Sequence, residues 1–152
     1  MDVYEVLKEK GITLPEPPPL GGVYVPVRQT GNLCYSSGAG PIVNGKAIYT
    51  GKLGADLSIE EGQEAAKICI LNVLSVLQNK IGDLNKVKSV VKLLGFVASA
   101  PGFNSQPKVI NGGSELLIEI FGEAGAHARS AIGTNELPDN ISVEIEVIFE
   151  VE

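Results

Sequence analysis

Residues 127–151 read HARSAIGTNELPDNISVEIEVIFEV, and the architecture follows from this stretch. In its second half Val143, Ile145, Val147 and Phe149 alternate with Glu144, Glu146, Ile148 and Glu150. A period of two places the first set on one face of a β-strand and the second on the other. Residues 127–134 predict a further strand. Leu137-Pro138-Asp139-Asn140 predicts the tight connection between the two, because Pro presets φ and Asp and Asn bond back to the nearby backbone.

Working upstream, residues from about 106 to 121 carry Leu116, Leu117 and Ile120 at helical spacing. Gly112-Gly113 inside that helix costs about 1 kcal/mol per glycine relative to alanine, so a close backbone approach is expected there. Pro101-Gly102 breaks the chain before it, and the valine- and leucine-rich residues 87–99 predict a long central strand. Ser58-Ile59-Glu60-Glu61 is a capping box. It opens a helix over about 59–80 whose stripe is Ala66, Ile70, Val73, Leu74 and Leu77.

The first third is less regular. Val23, Val25 and Val27 alternate with Tyr24, Pro26 and Arg28, which predicts a strand. Thr30-Gly31-Asn32 turns it into a second strand over 33–37. Residues 41–45 read as a turn and 47–50 as a third strand. Ahead of these, residues 2–10 predict a short helix with Val3, Val6 and Leu7 on one face, and residues 14–19 (LPEPPP) a polyproline strap. Such a helix is too short to stand alone and should dock on the domain or on a neighbouring subunit. The expectation is an α+β fold, a mixed sheet with two helices on one face. Residues 1–19 form the helix and strap, and residues 20–152 the domain.

Composition narrows the chemistry. A chain of 152 residues predicts one domain that hides roughly two-thirds of its unfolded surface. Its net charge of −6 argues against a nucleic-acid partner, which needs a basic surface. No apolar run approaches the length of a membrane span, and the chain does not open as a signal peptide does. Cys34 and Cys69 read as buried free thiols of a reduced, cytoplasmic protein. With His127 the single histidine, zinc sites built on several imidazoles are excluded. Neither a GxSxG elbow nor a dinucleotide or P-loop fingerprint is present. No metal or cofactor is expected, which leaves a small-molecule site made of Arg, Glu, Tyr, Ser and backbone groups, or no catalysis.

The segment ARSAIGTNELPDNISVEIEV, with its ARS strand, LP turn and closing VEIE strand, resembles the C-terminal signature of the Rid family, the YjgF-like reactive intermediate deaminases. Upstream, Gly31-Asn32-Leu33-Cys34-Tyr35-Ser36-Ser37-Gly38 is similar to that family's GN-x-x-x-x-SG hairpin. The resemblance spans residues 20–152 and implies a chorismate-mutase-like fold assembled as a homotrimeric barrel, with small-molecule clefts between subunits. It also implies a reaction, the hydrolysis of reactive enamine or imine acids such as 2-aminoacrylate to a 2-keto acid and ammonia. By the same resemblance Arg129 grips the substrate carboxylate, Glu144 positions water, and Tyr24 and Ser37 line the cleft. The chain departs from the deaminating pattern at Ala131, where a cysteine is usual, and at Ala39, where a glutamine often follows SG. Residues 99–125 resemble a distinct subgroup.

The residue types suit these roles. A guanidinium clamps a carboxylate with two charge-assisted hydrogen bonds. The competing structural reading of Arg129 is a salt bridge to Glu144 or Glu146 across the sheet. A carboxylate in a dry cleft can serve as general base, whereas one on an outward face serves solubility. Two further functions stay open beside the hydrolase: a non-catalytic binder of small carboxylate metabolites and, less in keeping with the charge, the endoribonuclease or translation-inhibitor role attached to the family's names.

Overall fold

The computed structural model of the protein describes residues 2–152. Helix α1, Val3–Glu9, is capped by the Asp2 side chain, which accepts from the Tyr4 amide. Strands β1, Val27–Thr30, and β2, Leu33–Ser36, form a hairpin, and β3, Ile42–Val43, pairs with β4, Lys46–Ala47, as a separate two-stranded ribbon. Helix α2, Ile59–Ile81, follows, then the long strand β5, Val87–Ala98. Helix α3, Gln106–Phe121, leads to β6, Ala128–Thr134, and β7, Val143–Val151, closes the chain. The main sheet runs β1-β2-β7-β5-β6, with β5 and β6 parallel and every other pair antiparallel.

This is the expected α+β architecture. Ser58 caps α2 through the Glu61 amide while the Glu61 carboxylate accepts from the Ser58 amide. Helices α2 and α3 cover one face of the sheet, burying Phe149, Leu93, Val97, Ile145 and Val147 under Ile70, Leu74, Ile110 and Leu117. The α2–α3 contact explains the paired glycines. A Cβ at Gly112 would stand 2.8 Å from the Gln63 Cα, so backbone meets backbone at that point. Cys34 and Cys69 are free and fully buried in this core. Burial pushes the Cys69 thiol up, and the charge of Glu144 adds to it.

Helix α1 belongs to the same body. Val3 and Leu7 join the main core, the Val3 amide donates to Asn85, and the Tyr4 hydroxyl accepts from the Leu84 amide. The strap is fastened by the buried Ser75 hydroxyl, which donates to the Pro15 carbonyl at 2.6 Å.

Two expectations need correction. The alternation of residues 23–28 does not make a strand: β1 starts at Val27, and Val23 and Val25 are exposed. Pro26 has no amide to donate to a ladder, and neither valine joins the core. The turn expected at 41–45 and the strand expected at 47–50 are instead the β3–β4 ribbon, which reverses at Asn44 and Gly45, both at positive φ. Tyr49 also has positive φ, which takes it out of any regular strand.

Candidate functional site

Arg129 lies on β6, at one edge of the sheet. Its partner on β5 is Leu93, and Leu93 in turn pairs with Val147 on β7. Paired positions on neighbouring strands share a face. Leu93 and Val147 are core residues under the helices, so Arg129 points to the helix side. There Nη1 donates to Asn111 Oδ1 at 2.7 Å and to Ser114 Oγ at 3.2 Å, both on α3. Ser114 Oγ is also 2.9 Å from His127 Nε2, and His127 Nδ1 is 2.7 Å from the Gly125 carbonyl.

All the partners of this guanidinium are neutral. The salt bridge to Glu144 or Glu146 that would make Arg129 merely structural is not among those of the described residues. Nη2 and Nε have no hydrogen-bond partner among the described residues, and the side chain is half-buried. The outcome is a cation fixed on one edge and open on the other.

Glu144 sits elsewhere. It pairs with Phe96, whose β6 neighbour is Ile132, on the face that carries no helix. Ala39 and Ile145 exchange two backbone hydrogen bonds of 2.9 and 3.0 Å, which extends the contact of β2's continuation with β7 and brings Gly38 against Glu144. A Cβ at Gly38 would lie 2.9 Å from the Glu144 Cδ, so the carboxylate rests directly over the glycine. Burial pushes the Glu144 carboxyl above its usual range, and the charge of Glu146 adds to the effect. A carboxylate in that state takes a proton more readily than an exposed one.

Ser37 precedes the glycine that lies under Glu144, and Tyr24 lies on the segment leading into β1. The Ser37 hydroxyl donates to the Val25 carbonyl at 2.7 Å, and the Ser37 amide to the Pro26 carbonyl. The exposed Tyr24 accepts at its hydroxyl from the Gly21 amide. Ser37 and Glu144 thus lie on the β1-β2-β7 half of the sheet, Tyr24 lies on the segment just ahead of β1, and Arg129 occupies the opposite edge. From β2 to β6 is three strand spacings, about 14 Å.

Asn111 and Ser114 were not legible as site residues. Their spacing of three on α3 puts them on one helical face, but nothing in a single sequence says that this face meets Arg129. Among the described residues no group of His, Cys, Asp and Glu is placed to hold a metal ion, and no helix is long and apolar enough to cross a membrane. A cleft of about 410 Å³ between the strap, α2 and the β3–β4 ribbon includes none of the four expected site residues.

The chain matches, over residues 5–150, the family model described as "YjgF/chorismate mutase-like, putative endoribonuclease". It is 42% identical to protein TCP17 of Trypanosoma cruzi over 146 residues, covering 95% of this chain and 91% of that one. A crystal structure of an Agrobacterium tumefaciens protein with unknown function superposes with a TM-score of 0.90 at 45% identity, covering 98% and 91% of the two chains. A Shewanella oneidensis protein, described in the same words as a "putative endoribonuclease", superposes with a TM-score of 0.96 at 32% identity over 99% and 100%.

Proposed function

The chain belongs to the YjgF/chorismate mutase-like family, and from that premise we propose that it hydrolyses small reactive 2-imino acids to 2-keto acids and ammonia. One observation carries the reading: Arg129 is held by neutral groups only, with a free guanidinium edge and no internal carboxylate to satisfy it. Desolvating a cation without neutralising it is costly, and a substrate carboxylate relieves that cost through two charge-assisted bonds.

The site is assembled from two copies in a homotrimer. Arg129 of one copy faces the Tyr24, Ser37 and Glu144 group of the next. Two features support this. Within one chain the groups are too far apart for one small acid to touch them. The helix-free face of the sheet also presents half-buried Leu94, Phe96 and Ile148 with exposed Ile132 and Tyr35, an apolar surface with no layer over it.

In the reaction Arg129 binds the carboxylate and thereby places C2 of the imine. Glu144 takes a proton from a water as its oxygen adds to C2 and passes that proton to the imine nitrogen, giving the neutral carbinolamine. Glu144 then takes the hydroxyl proton and delivers it to the amine as the C–N bond breaks, which releases ammonia, forms the 2-keto acid and returns the carboxylate. This addition needs little help beyond placement, which can supply several kcal/mol. The acidic surface does not favour the endoribonuclease description that relatives carry, since RNA binding rests on phosphate contacts with cations.

The test follows the disappearance of an imine generated in place by an amino-acid oxidase. The wild type should accelerate it, Arg28→Ala should match the wild type, and Arg129→Ala should fall to the background rate. Equal rates for wild type and Arg129→Ala would refute the assignment. Thermal stabilisation by 2-keto acids without imine turnover would select the non-catalytic carboxylate binder instead.

A further inference from the structure

Ser114 and His127 form, with Gly125, a directed chain of hydrogen bonds that ends on Arg129. A carbonyl has no proton to give, so in the 2.7 Å contact with Gly125 the proton is on His127 Nδ1. In the neutral ring Nε2 is then an acceptor, and the Ser114 hydroxyl donates to it at 2.9 Å. With its proton so committed, Ser114 Oγ offers only lone pairs to Arg129, whose Nη1 donates at 3.2 Å. Asn111 Oδ1 takes the other Nη1 proton at 2.7 Å.

The far end of the chain is packed against backbone. A Cβ at Gly125 would lie 2.8 Å from the Leu117 carbonyl carbon and 2.9 Å from the Ile118 Cα. The Gly125 backbone therefore lies against the last turns of α3, the helix that also carries Asn111 and Ser114, and its carbonyl is a fixed acceptor.

We infer that Ser114 and His127 are positioning residues: they hold Nη1 on the α3 side so that the Nη2 and Nε edge faces the substrate carboxylate before it arrives. This rests on the reading of Arg129 as the carboxylate grip. An arginine ordered in advance loses less rotamer freedom on binding than a free one. A single hydroxyl, oriented by the protein's one histidine, thereby sets the affinity for the acid without touching it.

The experiment measures binding of pyruvate, a stable 2-keto acid, by calorimetry on the full-length protein, alongside nitrogen-15 NMR of the histidine ring. The wild type should show the Nδ1-protonated neutral tautomer. Ser114→Ala and His127→Ala should each weaken binding by about tenfold. His127→Gln, which keeps an acceptor for the Ser114 hydroxyl, should recover most of that loss, a rescue that a packing role would not give. The inference is overturned by an Nε2-protonated tautomer. It is overturned equally if Ser114→Ala and His127→Ala bind within about twofold of the wild type while Arg129→Ala abolishes binding. If Arg129→Ala binds as well as the wild type, or the wild type does not bind, the carboxylate grip itself fails and the positioning role falls with it.

Discussion

Arg129 and Glu144 point to opposite faces of one sheet. Arg129 shares its register with the core residue Leu93, and Glu144 shares its register with Phe96 on the helix-free side. Strand β5 stands between them, so the two side chains are separated by two strand spacings, about 10 Å, as well as by the thickness of the sheet. A three-carbon acid cannot reach both in one chain. Under the proposed function, the arginine at the β6 edge and the carboxylate over Gly38 must therefore come from two copies.

Mixing inactive chains tests that arrangement. Under the proposed function Arg129→Ala and Glu144→Gln should each be inactive alone and should regain activity when denatured together and refolded. If each site draws on two neighbouring copies, random assembly leaves about a quarter of the sites with both native groups. Imine turnover near that fraction of the wild-type rate is the expected result. No recovery from trimers shown by mass spectrometry to be mixed would place both groups in the same chain's site.

Glu144 also predicts a pH dependence of stability. Its folded-state carboxyl is raised by burial and by Glu146, so the folded protein holds this proton more tightly than the unfolded chain. The stabilising contribution is fully present below the unfolded carboxylate range, about 4.3, and is lost as pH rises through the raised folded value. Glu144→Gln should therefore have the higher Tm at pH 7, and its advantage should shrink on acidification toward pH 4. The side chain is half-buried and partly screened, which keeps the effect to about 1 kcal/mol or less. Thermal melts across that range check it, and an advantage that grows toward acid would contradict it.

Much of the fold was legible because it is carried by local rules. The capping box at Ser58, the stripe on α2 and the alternation from Val143 are each settled by residues within one element. The alternation of 23–28 misled because a period of two records which residues could share a face and not whether a face exists to cover them. For Arg129 the strand was legible but its surroundings were not. Its face depends on the parallel register with β5, and its partners Asn111 and Ser114 depend on where α3 crosses β6. Ser37 is tied to the segment ahead of β1 by its bonds to the Val25 and Pro26 carbonyls, just past the end of the hairpin, whereas its distance from Arg129 comes from strand order, which one sequence does not encode locally.

The paired glycines of α3 make opposite predictions. At Gly112 an added Cβ meets the Gln63 backbone, which cannot move without separating α2 from α3. Gly112→Ala should cost about 2 kcal/mol or more even after the gain of about 1 kcal/mol in helix propensity. At Gly113 the nearest atoms are side-chain carbons of Ile70 and Ile145, at 3.0 and 3.1 Å, and these can shift slightly. Gly113→Ala should change stability by less than about 1 kcal/mol. Urea denaturation of the two variants makes the comparison, and equal losses would mean that the helices do not meet backbone to backbone.

Helix α1 should behave as part of the core and not as an appendage. Seven residues do not hold a helix in water, so its order comes from Val3, Val6 and Leu7, all buried. Leu7 is 4% exposed and joins the main cluster, whereas Lys8 beside it is exposed. Leu7→Ala should lose about 2–3 kcal/mol, the usual cost of emptying a buried leucine site. In a domain of this size that lowers Tm by roughly 5–10 °C. Lys8→Ala should stay within about 0.5 kcal/mol of the wild type. A single cooperative transition is expected in both variants, because α1 bonds Asn85 and Leu84 and Lys10, just past its end, pairs with Glu119 on α3. A separate early melting of the N-terminal segment, read from amide exchange at Val6 and Leu7, would show that the helix is not joined to the core.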